Sequence, residues 1–189
     1  MAFNFLKKIL QTGSKRRAGK GSRGPTPFRP RLERLEDRVV LATRFWDGGG
    51  DLNWMNRLNW QQDIAPVAGD DLVFDFESSF TRVNDFPNDT TFDSITILRS
   101  ATLGGNRIIL GPGGLVVGSS SPDAPDFTAL FGPPLRLTSS SGAVDVRQRP
   151  GGNTSLILAD AATGSRLTKT GVGTLSLLDG ATNLGGTVV

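Results

Sequence analysis

Short apolar runs separated by turn-forming residues limit what this chain can fold into more than any other feature. The runs are mostly three to five residues long, with Gly-Gly, Pro-Gly-Gly, Ser-Ser-Ser and Asn/Asp clusters between them. Some runs alternate apolar and polar residues with period two, and others are solidly apolar, as in strands covered on both faces. Past the first ten residues no stretch has a convincing helical period, so the sequence predicts an all-β chain. The predicted strands cover residues 72–74, 94–98, 107–110, 114–117, 135–137, 143–146, 155–158 and 174–177.

Strand spacing alone fits a sandwich, a barrel or a solenoid. Glycine-rich turns, among 24 Gly and 11 Pro in 189 residues, and very short β-branched runs favour the solenoid. In a parallel β-helix each coil covers the next, with strands about 4.8 Å apart. The sequence ends at Thr187-Val188-Val189 in a predicted strand, which suggests either a fragment or an assembly end to end.

Two missing residue types restrict the chemistry. The chain has no Cys and no His, which excludes disulfides, thiolate sites, imidazole metal ligands and Ser-His-Asp catalysis. The sequence therefore predicts no enzyme, no cofactor, and no catalytic, cofactor-binding or metal-binding residue.

Charge divides the chain into a basic leader and an acidic body. Residues 1–44 carry twelve Lys/Arg and three acids, a net charge of +9, and residues 45–189 carry nine Lys/Arg and fifteen acids, a net charge of −6. The leader is rich in Gly, Ser, Arg and Lys and poor in apolar residues, which predicts disorder. No stretch is long enough for a membrane-spanning helix, and no standard secretory apolar region is present. A basic arm can also bind nucleic acid or an anionic membrane.

The end of the leader favours export over nucleic-acid binding. Residues 31–42 read RLERLEDRVVLA, which resembles the "LExLEDRxLLA" N-terminal signal of planctomycete-type extracellular proteins. The resemblance implies an exported protein, extracellular or at the cell surface, with the leader removed near Ala42. The leader would engage the export machinery or the membrane only transiently.

The body resembles a second family, the autotransporter-associated β-strand (passenger-type) repeat proteins. The opening residues from Trp46 to Phe74 are similar to the start of such proteins, and residues 84–106 continue the likeness. Residues 167–177, LTKTGVGTLSL, followed by Gly185-Gly186-Thr187, resemble the repeat itself. This copy departs from the family pattern at three positions, Asp179, Ala181 and Asn183. The resemblance implies a right-handed parallel β-helix displayed outside the cell.

These observations predict three regions and one function. Residues 1–44 form a disordered basic export leader, residues 45–110 an N-terminal capping region with the first coils, and residues 111–189 further coils, including one passenger-type repeat at 167–189. The expected function is a non-catalytic surface protein, a β-helical stalk or adhesin-like segment. Its expected partner is a cell-surface or extracellular matrix component, with polysaccharide as one candidate and no nucleic acid. The alternative is a polysaccharide-binding or polysaccharide-cleaving β-helix.

Two groups of residues are the candidates for sugar binding, calcium binding or glycosidase chemistry. Trp46, Trp54 and Trp60 can stack on sugar rings, but they are more simply explained as a plug at the open end of the solenoid. Asn and Asp residues near these tryptophans offer the oxygen ligands that Ca²⁺ prefers, although turn hydrogen bonds explain most of them. A carboxylate pair for glycosidase chemistry is conceivable at Asp70-Asp71, but adjacent strand residues point to opposite faces. The acidic and amide residues in question are Asp47, Asp51, Asn53, Asp70, Asp71 and Asp75.

Overall fold

A computed structural model describes residues 41–77, 79–137, 143–159, 162–164, 167–178 and 187–188. Parallel strands are stacked there as a β-solenoid of about 4 turns, with almost no helix, so the all-β solenoid prediction is confirmed. The right-handed sense stays a prediction. The leader up to residue 40 and the repeat residues 179–186 lie outside the described residues. No helix of the described part has the length and apolar character needed to cross a membrane.

Fourteen short strands and two 3₁₀ turns make up the described part. The 3₁₀ turns cover Arg57–Asn59 and Gln61–Asp63. The strands are β1 (Thr43–Phe45), β2 (Asp71–Phe74), β3 (Thr81–Asn84), β4 (Thr90–Ile97), β5 (Thr102–Gly105), β6 (Ile108–Val117), β7 (Phe127–Phe131), β8 (Leu135–Leu137), β9 (Ala143–Val146), β10 (Thr154–Leu158), β11 (Ala162–Gly164), β12 (Leu167–Thr170), β13 (Thr174–Leu177) and β14 (Thr187–Val188).

The strands line up in three parallel ladders, each following one side of the coil. The first ladder joins β1, β2, residues 94–97 of β4, residues 114–117 of β6, β9, β12 and β14. The second joins β3, β5, β7, β10 and β13. The third joins residues 90–92 of β4, residues 108–110 of β6, β8 and β11. Strands β4 and β6 serve two ladders because each turns a corner midway, where the register shifts between Phe92 and Ser94.

Apolar side chains in register form columns that fill the interior. In the second ladder Leu103, Phe131 and Leu158 are paired in successive turns and all three are buried. In the first ladder Leu72 pairs with Ile95, which in turn pairs with Leu115. Burial of such side chains stabilises each by about 1.5–3 kcal/mol relative to exposure. The core is therefore continuous from one turn to the next.

Two asparagines, the buried Asn84 and the exposed Asn106, fix the corner after the second ladder. The Nδ2 of Asn84 donates to the Asn106 carbonyl at 2.7 Å, and the Nδ2 of Asn106 donates to the Phe86 carbonyl at 2.8 Å. Gly105 lies between them with φ +106°, and a Cβ there would be 2.3 Å from the Asn84 carbonyl oxygen. Only glycine fits this approach of two backbones. The two side-chain bonds and the glycine thus fix the path of the backbone at this corner.

All eight apolar runs predicted as strands lie on strands. Six further strands were not among the predicted runs: β1, β3, β5, β7, β11 and β12. Three of these, β3, β5 and β7, belong to the second ladder, whose first two strands read TRVN and TLGG. Such strands are too polar or too rich in glycine to be recognised by an apolar run.

Candidate functional site

The N-terminal end of the solenoid is covered by residues 42–63, which we call the cap. Its first part pairs with the first ladder, where the Trp46 N–H donates to the Val73 carbonyl at 2.9 Å. Its middle part pairs with the second ladder, since Trp54 N–H donates to the Val83 carbonyl at 3.0 Å and Val83 N–H to the Leu52 carbonyl at 2.7 Å. The cap therefore satisfies backbone groups of β2 and β3 that would otherwise form an open edge.

The three tryptophans of the cap are buried together under it. Trp54 and Trp60 are fully buried and Trp46 is 4% exposed. All three rings contact Phe74 of the first coil, with centroids 5.1 Å apart for Trp54 and Phe74. The Trp46 and Trp60 rings also contact each other, with centroids 5.2 Å apart. The Trp60 Nε1–H donates to the Trp54 carbonyl at 2.7 Å. Because the indole faces are inside, this arrangement supports the plug and not a stacking surface for sugars.

Asp70 and Asp71 are each held by hydrogen bonds to other parts of the fold. Asp70 is fully buried and accepts hydrogen bonds from the Ala42 and Val67 amides and from Arg44 Nε, at 2.9, 3.0 and 3.1 Å. Asp71 is half-buried and accepts a hydrogen bond from the Ser94 hydroxyl. Asp70 thus ties the start of the cap to the first coil, and each carboxylate already has a structural partner.

The remaining acidic candidates are held in turns or on the outer surface. Asp51 accepts from the Asn53 amide at 2.8 Å and from Asn59 Nδ2 at 3.0 Å, and the Asn53 bond keeps the pKa of Asp51 below its usual value. Asp47 accepts from the Gly49 amide, and Asp75 pairs with Arg99 at 3.0 Å. Among the described residues, no three His, Cys, Asp or Glu side chains are grouped to hold a metal ion.

A cavity of about 710 Å³ lies between the cap and the turn that joins β2 to β3. Its volume falls within the range of small-ligand pockets. Three exposed apolar side chains line it, with Leu52 40%, Phe76 48% and Phe80 67% exposed. Asp51 and Glu77 also line it, as does the buried Arg82.

Arg82 occupies an inward-facing position of β3. It pairs in register with Leu103, the start of an apolar column, and is itself 1% exposed. Its Nη2 donates to the Phe76 carbonyl, while Nε and Nη1 are buried without a hydrogen-bond partner in the described part of the chain. The guanidinium carbon is 5.8 Å from the centroid of the Trp46 ring, and burial lowers the pKa of this side chain.

Sequence reasoning did not find Arg82. The strand that holds it reads Thr-Arg-Val-Asn, in which the apolar residue predicts that Val83 faces inward. In the structure Arg82 and Asn84 are buried and Val83 is half-buried. Only the register with β5, which places Arg82 opposite Leu103, identifies its direction.

Comparison with protein-family models, with curated proteins and with solved structures found no match to this chain.

Proposed function

We propose that the chain is an exported, non-catalytic surface protein whose β-solenoid is a stalk or adhesin-like structural segment. The observation that carries the proposal is the filled interior, in which apolar columns run from one coil to the next and tryptophans close one end. Parallel ladders on three sides hold successive coils by backbone hydrogen bonds, which suits a load-bearing element. Because the sequence has no His and no Cys, most general-base and nucleophile arrangements are unavailable.

The outer surface supports a role in display. Ion pairs join successive turns on the outside, such as Arg107 with Asp89 at 2.6 Å and Arg149 with Asp126 at 3.2 Å. Exposed pairs of this kind contribute little stability but keep the surface polar. A partner such as a cell-surface or matrix component would contact these polar outer faces.

The export half of the proposal rests on the resemblance of residues 31–42 and is tested at the N-terminus. The protein is recovered from the medium, the cell surface and the cytosol of its native cells, and each N-terminus is determined by mass spectrometry. A start close to Ala42 in the outer fractions is expected. Recovery of the intact leader from the cytosol alone would contradict export.

A pair of matched variants separates the signal from general basicity. Arg38→Ala alters the Glu-Asp-Arg core of the signal and is expected to reduce the exported fraction. Arg23→Ala removes the same charge from the Gly/Ser-rich stretch upstream and should leave export unchanged. Equal export of both variants would show that the signal resemblance has no functional meaning here.

A further inference from the structure

Arg82 is placed where the solenoid would accept an apolar residue. Its register partner Leu103 is 1% exposed, and Phe131 continues that column in the next turn. A guanidinium at such a position costs free energy unless its donors are paired. Only Nη2 has a protein partner in the described residues, the Phe76 carbonyl, and none of the ion pairs there includes Arg82. The fold therefore keeps a buried cation beside a cavity with two of its nitrogens unsatisfied.

We propose that this cavity binds an acidic saccharide unit, with the sugar carboxylate on the Arg82 guanidinium and a sugar ring face on Phe76 and Phe80. A carboxylate matches the forked donors of a guanidinium and forms paired, charge-assisted hydrogen bonds with it. Nε and Nη1 are themselves buried, so the sugar carboxylate would pair with the guanidinium by taking the place of the Phe76 carbonyl at Nη2.

The other residues of the cavity select a sugar over other anions. Phe76 and Phe80 are 48% and 67% exposed, and their flat apolar faces suit the C–H face of a pyranose ring. Glu77 and Asp51 line the same cavity, and carboxylates accept hydrogen bonds from sugar hydroxyls. The same two carboxylates repel every anion, but they repel a phosphate or sulfate dianion about twice as strongly as a sugar carboxylate, which carries a single charge.

A ligand at this cavity gives the polysaccharide alternative a location at the edge of the tryptophan cluster, because Trp46 also lines the cavity but is only 4% exposed. The indoles of Trp54 and Trp60 are fully buried, whereas the cavity presents Phe76 and Phe80 to solvent beside the cap. Sugar binding here does not require export through the leader, so the N-terminal test above and the test below fail independently.

Titration calorimetry with the full chain tests the proposal, using trigalacturonate as the acidic probe and galactotriose as its neutral counterpart. Trigalacturonate should bind at least about tenfold more tightly than galactotriose, since one charge-assisted pair is at stake. Arg82→Met should weaken trigalacturonate binding by about tenfold or more, with Arg99→Met as the matched control because Arg99 is a half-exposed arginine outside the cavity.

The aromatic contact has its own variant, which does not depend on the folding of Arg82→Met. Phe80→Ala removes a ring that is 67% exposed and should weaken binding severalfold, whereas Phe45→Ala, on β1 and 41% exposed, should not. Circular dichroism verifies the fold of each variant. Equal affinity for the two sugars, binding of neither, or wild-type affinity in Arg82→Met or Phe80→Ala would overturn the proposal. Arg82-dependent binding of inorganic phosphate without binding of trigalacturonate would also overturn it.

Discussion

The cap and the later coils solve the same packing problem with different residues. In the later coils a turn has a neighbour on both sides, and the space between is filled by apolar residues in register, mostly aliphatic but including Phe131. The first coil has a neighbour on only one side, and there the interior holds three tryptophans, Phe74 and a buried arginine.

The difference shows what an end requires of a solenoid. A column of small aliphatic side chains works only if another coil supplies the next layer. At the end that layer is made by an irregular segment, and indoles bury more surface per residue than any aliphatic side chain. The cap therefore concentrates in few residues the packing that the coils distribute over many.

Of the substitutions that test this comparison, Trp60→Ala should have the largest effect on stability. Trp60 is fully buried, contacts Trp46 and Phe74, and donates to the Trp54 carbonyl. Truncation should lower the free energy of unfolding by about 3–5 kcal/mol, measured by urea denaturation. Leu58→Ala, two residues away and 43% exposed, should change it little. A cost for Trp60→Ala no greater than for Leu58→Ala would mean that the indoles do not close the end.

Gly105→Ala tests the coil corner, with an expected loss of at least about 2 kcal/mol. The φ of +106° is unfavourable for alanine, and its Cβ would be 2.3 Å from the Asn84 carbonyl oxygen. Gly151→Ala is the matched control, since Gly151 has φ +72° but a methyl group there would have no atom within 4 Å. Gly151→Ala should show only the conformational cost of about 1–2 kcal/mol. Equal costs for both would show that the approach of the two backbones is not tight.

Arg82→Met should act in the opposite direction and stabilise the first coil. Methionine would extend the apolar column of Leu103 and remove a guanidinium with two unpaired nitrogens. Replacement of buried ionic groups by apolar ones is often neutral or stabilising, and a gain of about 1–2 kcal/mol in the free energy of unfolding is expected. A marked loss of stability would instead assign Arg82 a structural role, through its bond to Phe76 and its contact with Trp46.

Sequence reasoning succeeded where the coil pattern is regular and failed where the end departs from it. The run at 94–98 predicted a strand because its β-branched residues favour extended backbone, and the run at 155–158 did so because it is a short apolar run between turn residues. Which side chains of β3 face the interior could not be predicted. Its single apolar residue, Val83, is only half-buried, and the polar residues on either side of it are buried. Direction there is decided by pairing with a strand about twenty residues later, which no local pattern contains.

At the candidate site, too, some features could be predicted from the local sequence and others depend on tertiary contacts. Burial of Trp46, Trp54 and Trp60 agrees with the plug that the sequence favoured, because large aromatic residues near a chain's first strand have little else to cover. The Asp70 carboxylate has three donors from two segments of chain, Ala42 and Arg44 in the cap and the nearby Val67, an arrangement that the Asp-Asp dipeptide does not reveal. The cavity beside Arg82 likewise exists only once the cap and the turn after β2 are brought together.

Lowering the pH should have the smallest effect on stability. It acts on the outer surface and not on the packed interior of the cap or of the coils. Hydrogen bonds from the Arg107 side chain lower the pKa of Asp89 below its usual value, and a bond from the Asn153 amide, together with Arg149, does the same for Asp126. A carboxylate with a lowered pKa in the folded chain stabilises the fold above the unfolded pKa, and that contribution is lost as pH falls through the folded value.

Thermal melting should therefore be flat from neutral pH down to about 4 and decline below it, because there the unfolded chain takes up protons on these carboxylates before the folded chain does. In Asp89→Asn the melting temperature should fall slightly less at low pH, since the amide cannot carry the charge that Arg107 pairs with. Asp123→Asn, at an exposed position without an ion pair among the described residues, should retain the full decline. A melting temperature that falls already between pH 7 and 5 would point to groups other than these surface carboxylates. Because both pairs link successive turns, the part of the decline that Asp89→Asn loses measures how much the Arg107–Asp89 pair contributes to holding the coils together. A small loss would leave most of that contribution to the apolar columns and the cap.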